Sequence, residues 1–137
     1  MKLIVVAVGR LRPPYADDVQ HYQKLIAGHA KLELAECRED EQVARRIPKR
    51  SHVTLLSAHG EQYDSIGFAR VLEERRRSGM DWCFVIGGPF GLQLEAPDSR
   101  LSLGTMTLPH QLARVVLLEQ LYRAMTLQRG EPYAREE

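Results

Sequence analysis

Along the chain, unbroken apolar runs give way repeatedly to stretches whose apolar residues return every three or four positions. The run "LIVVAVG", ending at Gly9, has the pattern of a strand buried on both faces of a parallel sheet. "HVTLLSA" and "WCFVIGG" read the same way, while "KLELAEC" alternates like a strand with one face towards water. Tyr15, Val19, Tyr22, Leu25 and Ile26 predict a helix from Pro14 to about Gly28, with acidic residues early and a lysine late, as the helix dipole favours. "REDEQVARRIPKR" predicts a short charged helix stopped near Pro48. Ile66, Ala69, Val71 and Leu72 predict a third helix in "SIGFARVLEERRRSG", ended by Gly79. "LQLEAPDSR" reads as a loop or ragged helix, and "LSLGTMT" as a short apolar segment with small polar interruptions. The longest pattern, "PHQLARVVLLEQLYRAMTLQRG", predicts a final helix with Pro109 in its first turn and Gly130 as its stop.

Strands alternating with helices predict an α/β fold, a mostly parallel sheet covered by helices on both faces. With 137 residues and 44% apolar positions, residues 1–137 suit one domain. In the last helix Leu112, Val115, Val116, Leu118, Leu121, Tyr122 and Met125 cover more than one stripe, and the surplus points to a partner subunit. Basic residues number 19 against 18 acidic, so any nucleic acid must be met by a local cluster. Arg45, Arg46, Lys49 and Arg50 form one such cluster and Arg75, Arg76 and Arg77 another. Either could track a phosphate backbone, or be a solvated helix end. Cys37 and Cys83 lack CxxC company, which argues against a disulfide framework and suits a reducing cytoplasm. His21, His29, His52 and His59 show no ligand spacing, so no metal is expected. The opening apolar run is too short to span a membrane.

The chemistry concentrates after the strand "CFVI". There "FVIGGPFG" places Gly87, Gly88 and Gly91 beyond the carboxyl end of a strand, where open α/β sheets hold ligands. Glycine there either lets the backbone approach a nucleoside or serves only a tight turn. The spacing is neither a dinucleotide fingerprint nor a phosphate-binding P-loop. "LSLGTMTLPH" brings Ser102, Thr105 and Thr107 to the start of the last helix, where it would line a pocket beside the glycine turn or simply enter the helix with Thr107 or Leu108 as the cap.

Through "FVIGGPFG", "LSLGTMTLPHQLARVVLLEQLYRA" and the terminal "PY", the chain resembles the ribosomal RNA large subunit methyltransferase H family of the SPOUT class. The likeness extends to "MKLIVVAVG" and "LSAHG". It implies a trefoil knot near the C-terminus, a homodimer, and S-adenosylmethionine as methyl donor. It also implies N3 of a pseudouridine in large-subunit (23S) ribosomal RNA as acceptor. Carried over by position, cofactor contacts fall on Leu56, Gly88 and the backbone from Leu103 through Gly104, Thr105, Met106 and Thr107 to Leu108. Ser57 stands where the family carries an aspartate, and Ala134 where it carries a histidine.

A sulfonium donor already has a good leaving group, so positioning is the larger contribution to catalysis. The imide nitrogen of the acceptor needs a base or nearby positive charge. His110, kept neutral at a helix amino terminus, is the candidate base; its other reading is a cap or packing residue. Tyr133 is a candidate to stack on or hydrogen-bond the base, and Arg135 to contact phosphate or steady the developing anion, unless the tail is a frayed end. Arg114 and Arg123 flank Glu119 and Gln120 and read as salt-bridge partners across a dimer, with Glu119 structural. A near-neutral chain favours a shaped RNA surface such as an assembled ribosome. The alternative is a relative that keeps the cofactor pocket and ribosome binding without turnover.

Overall fold

The structure, a computed structural model, describes residues 1–88, 92 and 94–134. Five strands, β1 (Lys2–Val8), β2 (Lys31–Cys37), β3 (Ser51–Glu61), β4 (Asp81–Ile86) and β5 (Ser99–Leu101), form a parallel sheet in the order β2-β1-β4-β3-β5. The apolar runs occupy its centre: every residue of β4 from Trp82 to Ile86 is at most 3% exposed. Helices α1 (Tyr15–Ala27), α2 (Val43–Arg46) and α3 (Ser65–Ser78) connect strands, and α4 (His110–Arg129) follows the last one.

The α/β expectation holds, with unequal cover on the two faces. Leu3, Val5, Ala7, Trp82, Phe84 and Ile86 pack against α1, α3 and α4. On the other face Ile4, Val6, Val8, Cys83 and Val85 lie under Val43 of α2, Ile47, Leu92 and Leu94. Pro48 leaves the link from β2 to β3 room for a single helical turn, so loop residues complete that cover. Burial there pushes the Cys83 thiol up to about 12, which leaves it an inert core residue.

Some local expectations shift by a residue or a face. Ile66, expected on the inner side of α3, is 54% exposed; Asp64 caps this helix by accepting from the Gly67 amide at 2.7 Å, which turns Phe68, Ala69 and Leu72 inward. Pro109 is the N-cap of α4 rather than a first-turn residue, and neither Thr107 nor Leu108 caps it. Gly130, left-handed at φ 66°, ends that helix as expected. Of "LSLGTMT", only Leu101 belongs to a strand; Ser102 to Leu108 is irregular, with Gly104 at φ 145°.

Two devices seat the three-residue β5 against β3. Leu56 and Glu61 both register with Leu101, so β3 bulges over 57–60. A Cβ on Gly60 would come within 2.6 Å of the Leu101 main chain, so only glycine permits this approach. A polar chain supplies the second. Arg75 Nη1 lies 2.6 Å from His52 Nδ1, His52 Nε2 3.0 Å from Ser99 Oγ, and Ser99 Oγ 2.8 Å from Thr54 Oγ1, which also accepts from Trp82 Nε1 at 2.8 Å. A guanidinium can only donate, so His52 Nδ1 accepts and its Nε2–H faces Ser99. Replacing Gly60 by alanine should lower stability by about 1–3 kcal/mol, seen as an earlier midpoint in denaturant unfolding. Gly28→Ala, whose Cβ would meet only Leu25 O at 3.6 Å, should shift it by less than about 0.5 kcal/mol or raise it.

Candidate functional site

At the carboxyl ends of β3, β4 and β5 lies a cavity of about 190 Å³. Leu56, Gly88, Leu103, Gly104, Met106, Thr107 and Leu108 line it, seven of the eight positions expected to meet a cofactor. Thr105 does not; it is exposed on the same loop. Gly87 and Ser102, from the glycine turn and the loop that the sequence marks as pocket-lining, also contribute, and Ser57, Ala58, Ile86, Leu92, Leu101 and Ala113, not expected as cofactor contacts, complete the wall with His110. Pro89 to Gly91, the rest of the glycine turn, lie outside the described residues.

Gly88 and the loop give this wall its shape. A Cβ on Gly88 would meet nothing closer than Val8 Cγ1, at 3.4 Å, so the fold would accept a side chain there and its absence leaves cavity. The Ser102 amide donates to Glu61 O at 2.8 Å, and its hydroxyl donates to Gly104 O at 2.9 Å and accepts from Gly104 N at 3.2 Å. Those bonds hold the loop's first turn at the cavity edge. A larger hollow of about 480 Å³ shares Leu101, Ser102 and Leu103 with the cavity, but its remaining wall is side chains around α3 and α4.

His110, the candidate base, also lines the cavity from the first turn of α4. The turn is clasped by the chain after β1: Arg12 N donates to Gln111 Oε1 at 2.9 Å, and Gln111 Nε2 donates to Arg10 O at 3.0 Å. Burial, followed by the Arg114 and Arg12 guanidiniums, holds the His110 imidazole below its ordinary 6.5. A neutral ring at pH 7, expected from the helix terminus, thus rests on burial and two cations as well. Arg114 is 4% exposed and pairs within its own chain, correcting the expectation of a partner across a dimer. Its Nη1 donates to Glu36 Oε2 at 2.8 Å and its Nη2 to the carbonyls of Val8 and Gly9. One buried side chain thereby ties α4 to the carboxyl ends of β1 and β2, a role with no signal in the sequence.

Tyr133 lies elsewhere. Its hydroxyl donates to Glu119 Oε2 at 2.9 Å, and Arg123 sits 5.2 Å over its ring and shares the same carboxylate. Glu119, nine residues beyond His110, is about 13 Å from it along the helix axis. Burial, then bonds to Tyr22 and Glu119, raises the phenol pKa, so Tyr133 stays protonated. The candidates His110 and Tyr133 are thus not brought together within one chain, and Arg135 lies outside the described residues.

Among the described residues no group of three or more His, Cys, Asp or Glu side chains could hold a metal, and no helix is long and apolar enough to cross a membrane. Residues 1–134 match the family described as Predicted SPOUT methyltransferase. A protein of Anaeromyxobacter sp. strain Fw109-5 named Ribosomal RNA large subunit methyltransferase H is 40% identical, over 97% of this chain and 99% of its own. The chain belongs to this SPOUT methyltransferase family. Proteins of the same name from Gemmatimonas aurantiaca and Leuconostoc citreum are 37% and 35% identical, each over 97% of this chain and 99% of their own. These alignments run to 152 and 157 positions against 137 residues, so the relatives hold segments that this SPOUT chain lacks.

In an NMR titration His110 should take up its proton only below 6.5, remaining neutral at pH 7. Arg12→Gln, which removes one of the two cations opposing protonation, should move the midpoint upward.

Proposed function

We propose that this protein is a methyltransferase acting on ribosomal RNA, with S-adenosylmethionine as donor and N3 of a pseudouridine in 23S rRNA as acceptor, on assembled ribosomes in the cytoplasm. One observation carries the reading: in a SPOUT family chain, seven of the eight expected cofactor positions line one cavity, and His110 stands in its wall. The names borne by the relatives support the RNA acceptor.

Under this reading the main chain of Leu103 to Leu108 recognises the adenine edge, and Gly88 leaves the space for the nucleoside. At about 190 Å³ the cavity is smaller than typical ligand sites of about 300–1,000 Å³, so Thr105 to Thr107, all exposed, would move outward on binding. When bound, the donor supplies an electrophilic methyl group. The protein aligns the acceptor with it, and neutral His110 takes the imide proton as N3 becomes nucleophilic. Arg114 and Arg12 would help steady the anion that forms.

The chain acts as one domain over 1–137 and as a homodimer. Leu112, Val115, Val116 and Tyr122, half-buried along α4, support a second copy packed on that face. With Tyr133 held at Glu119, about 13 Å along α4 from His110, it would reach an acceptor only from the partner subunit, and Arg135 is proposed to act from the same tail. The passage of Leu101 against Gly60 is compatible with the trefoil knot, in which strand and loop thread closely. A non-catalytic reading draws on Ser57 in the cavity wall and Ala134 buried in the tail, where the resemblance calls for an aspartate and a histidine.

Titration calorimetry should detect S-adenosylmethionine binding; none at millimolar ligand would sink the proposal. Gly88→Val should abolish that binding with little change in melting temperature, since only Val8 approaches its Cβ. His110→Ala should slow transfer of labelled methyl to large-subunit RNA by about 10²–10⁴-fold. Tyr133→Ala should leave cofactor affinity intact and reduce transfer; an unchanged rate on ribosomes would put the tail outside the mechanism.

A further inference from the structure

The two basic clusters, well apart in the sequence, meet at one edge of the fold. Lys49 and Arg50 lead directly into β3, whose first residue Ser51 pairs with Asp81, the first of β4. In a parallel sheet each crossover helix must return the chain to the amino edge, so α3 delivers Arg75, Arg76 and Arg77 to the same place just before β4. The 2.6 Å contact from Arg75 Nη1 to His52 Nδ1 fastens the second cluster to β3 two residues after Arg50. Arg76 Nη2 donates to Gln128 Oε1 at 3.0 Å and so draws in the last turn of α4 with Arg129.

Most acids along this edge have partners of their own, exposed Glu74 having no ion pair within 4.0 Å among the described residues. Glu73 lies 3.8 Å from Arg76 and 3.5 Å from Arg77, Glu33 holds Lys2 Nζ at 3.2 Å, and Asp81 accepts from the Lys2 amide at 2.8 Å. Arg45, Arg46, Lys49 and Arg50 are exposed and have no ion pair within 4.0 Å among the described residues. The cavity edge carries both signs, with Glu36, Glu39, Asp40, Glu61 and Asp64 beside Arg10, Arg12, Arg38 and Arg114. Residues 45–50 thus give a chain of net charge +1 one local run of four exposed cations.

We propose that Arg45, Arg46, Lys49 and Arg50, bordered by Arg77 and Arg129, form a docking surface for an RNA phosphate backbone on the edge opposite the cavity. The proposal rests on the RNA acceptor reading above. From Ser51 to Leu56 the edges are about 17 Å apart, so this surface contacts RNA remote from the acceptor base. Remote phosphate contacts fix register and supply affinity that a single nucleotide in a small cavity cannot. Within 45–50 no large apolar side chain is exposed, Ile47 being half-buried, and Met80 is the one exposed apolar side chain among the described residues near this edge; four cations beside a single methionine favour a hydrated polyanion over a lipid surface.

The test compares the wild-type protein with a combined Arg45→Gln, Arg46→Gln, Lys49→Gln, Arg50→Gln variant. Binding to purified large ribosomal subunits is measured by sedimentation across a salt series. The variant should bind about tenfold or more weakly at low salt, and its slope of log affinity against log salt should shrink by about 0.7–0.9 for each phosphate it no longer neutralises. S-adenosylmethionine affinity and melting temperature should not change. Equal affinity and slope in both proteins would overturn the inference while leaving the RNA acceptor reading standing. Absence of binding by the wild type would remove both. Wild-type binding to phosphatidylglycerol vesicles, abolished in the variant while subunit binding persists, would assign the surface to lipid and overturn the inference.

Discussion

The close passage of the Leu101 main chain across Gly60 is the contact on which the rest of the site depends. β5 has only three residues and one sheet neighbour, too little pairing to hold a strand by itself. The missing Cβ at Gly60, the doubled register at Leu101 and the polar chain through His52, Ser99 and Thr54 supply what the ladder lacks. The loop that begins at Ser102 inherits its position from these three. Because its first turn is fastened by the Ser102 hydroxyl, the cavity wall amounts to an extension of the sheet edge.

Much of this was legible in the order of residues. Continuous apolar runs give strands buried on both sides, and β1 and β4 do lie side by side in the interior of the sheet. The glycines after Ile86 and the irregular stretch before α4 converge on one cavity, as their positions after strands suggest. What stayed hidden depends on contacts between distant segments. The Arg114 side chain reads as surface charge on a helix, and only the packed structure puts it beneath β1 and β2 beside Glu36. Ile66 reads as core at helical spacing with Ala69 and Leu72; those two are buried, but in the first turn after the Asp64 cap Phe68 takes the inner place and Ile66 is exposed. The bulge at 57–60 has no local signature, since it is dictated by where Leu101 crosses.

The C-terminal segment shows the same division. "PY" at 132–133 marks a tail, and the sequence leaves open whether it frays. Left-handed Gly130 turns the chain back, and Tyr133 is then held by Glu119, Arg123 and the ring of Tyr122, 4.7 Å from its own. Ala134 is buried in consequence. The tail is therefore anchored up to this point by side chains in the middle of α4.

The antiparallel run of α4 against the strands has an electrical consequence for the methyl donor. Its amino terminus, carrying the positive pole of a 20-residue helix, opens onto the cavity with Arg114 behind it. The sulfonium of the proposed donor would sit uneasily in that potential, whereas the thioether left after transfer is uncharged. The field would thus push the reaction forward by raising the energy of the reactant relative to a transition state in which the charge is already dispersing. The same feature would make the spent cofactor the tighter ligand, and product inhibition an intrinsic property of the site.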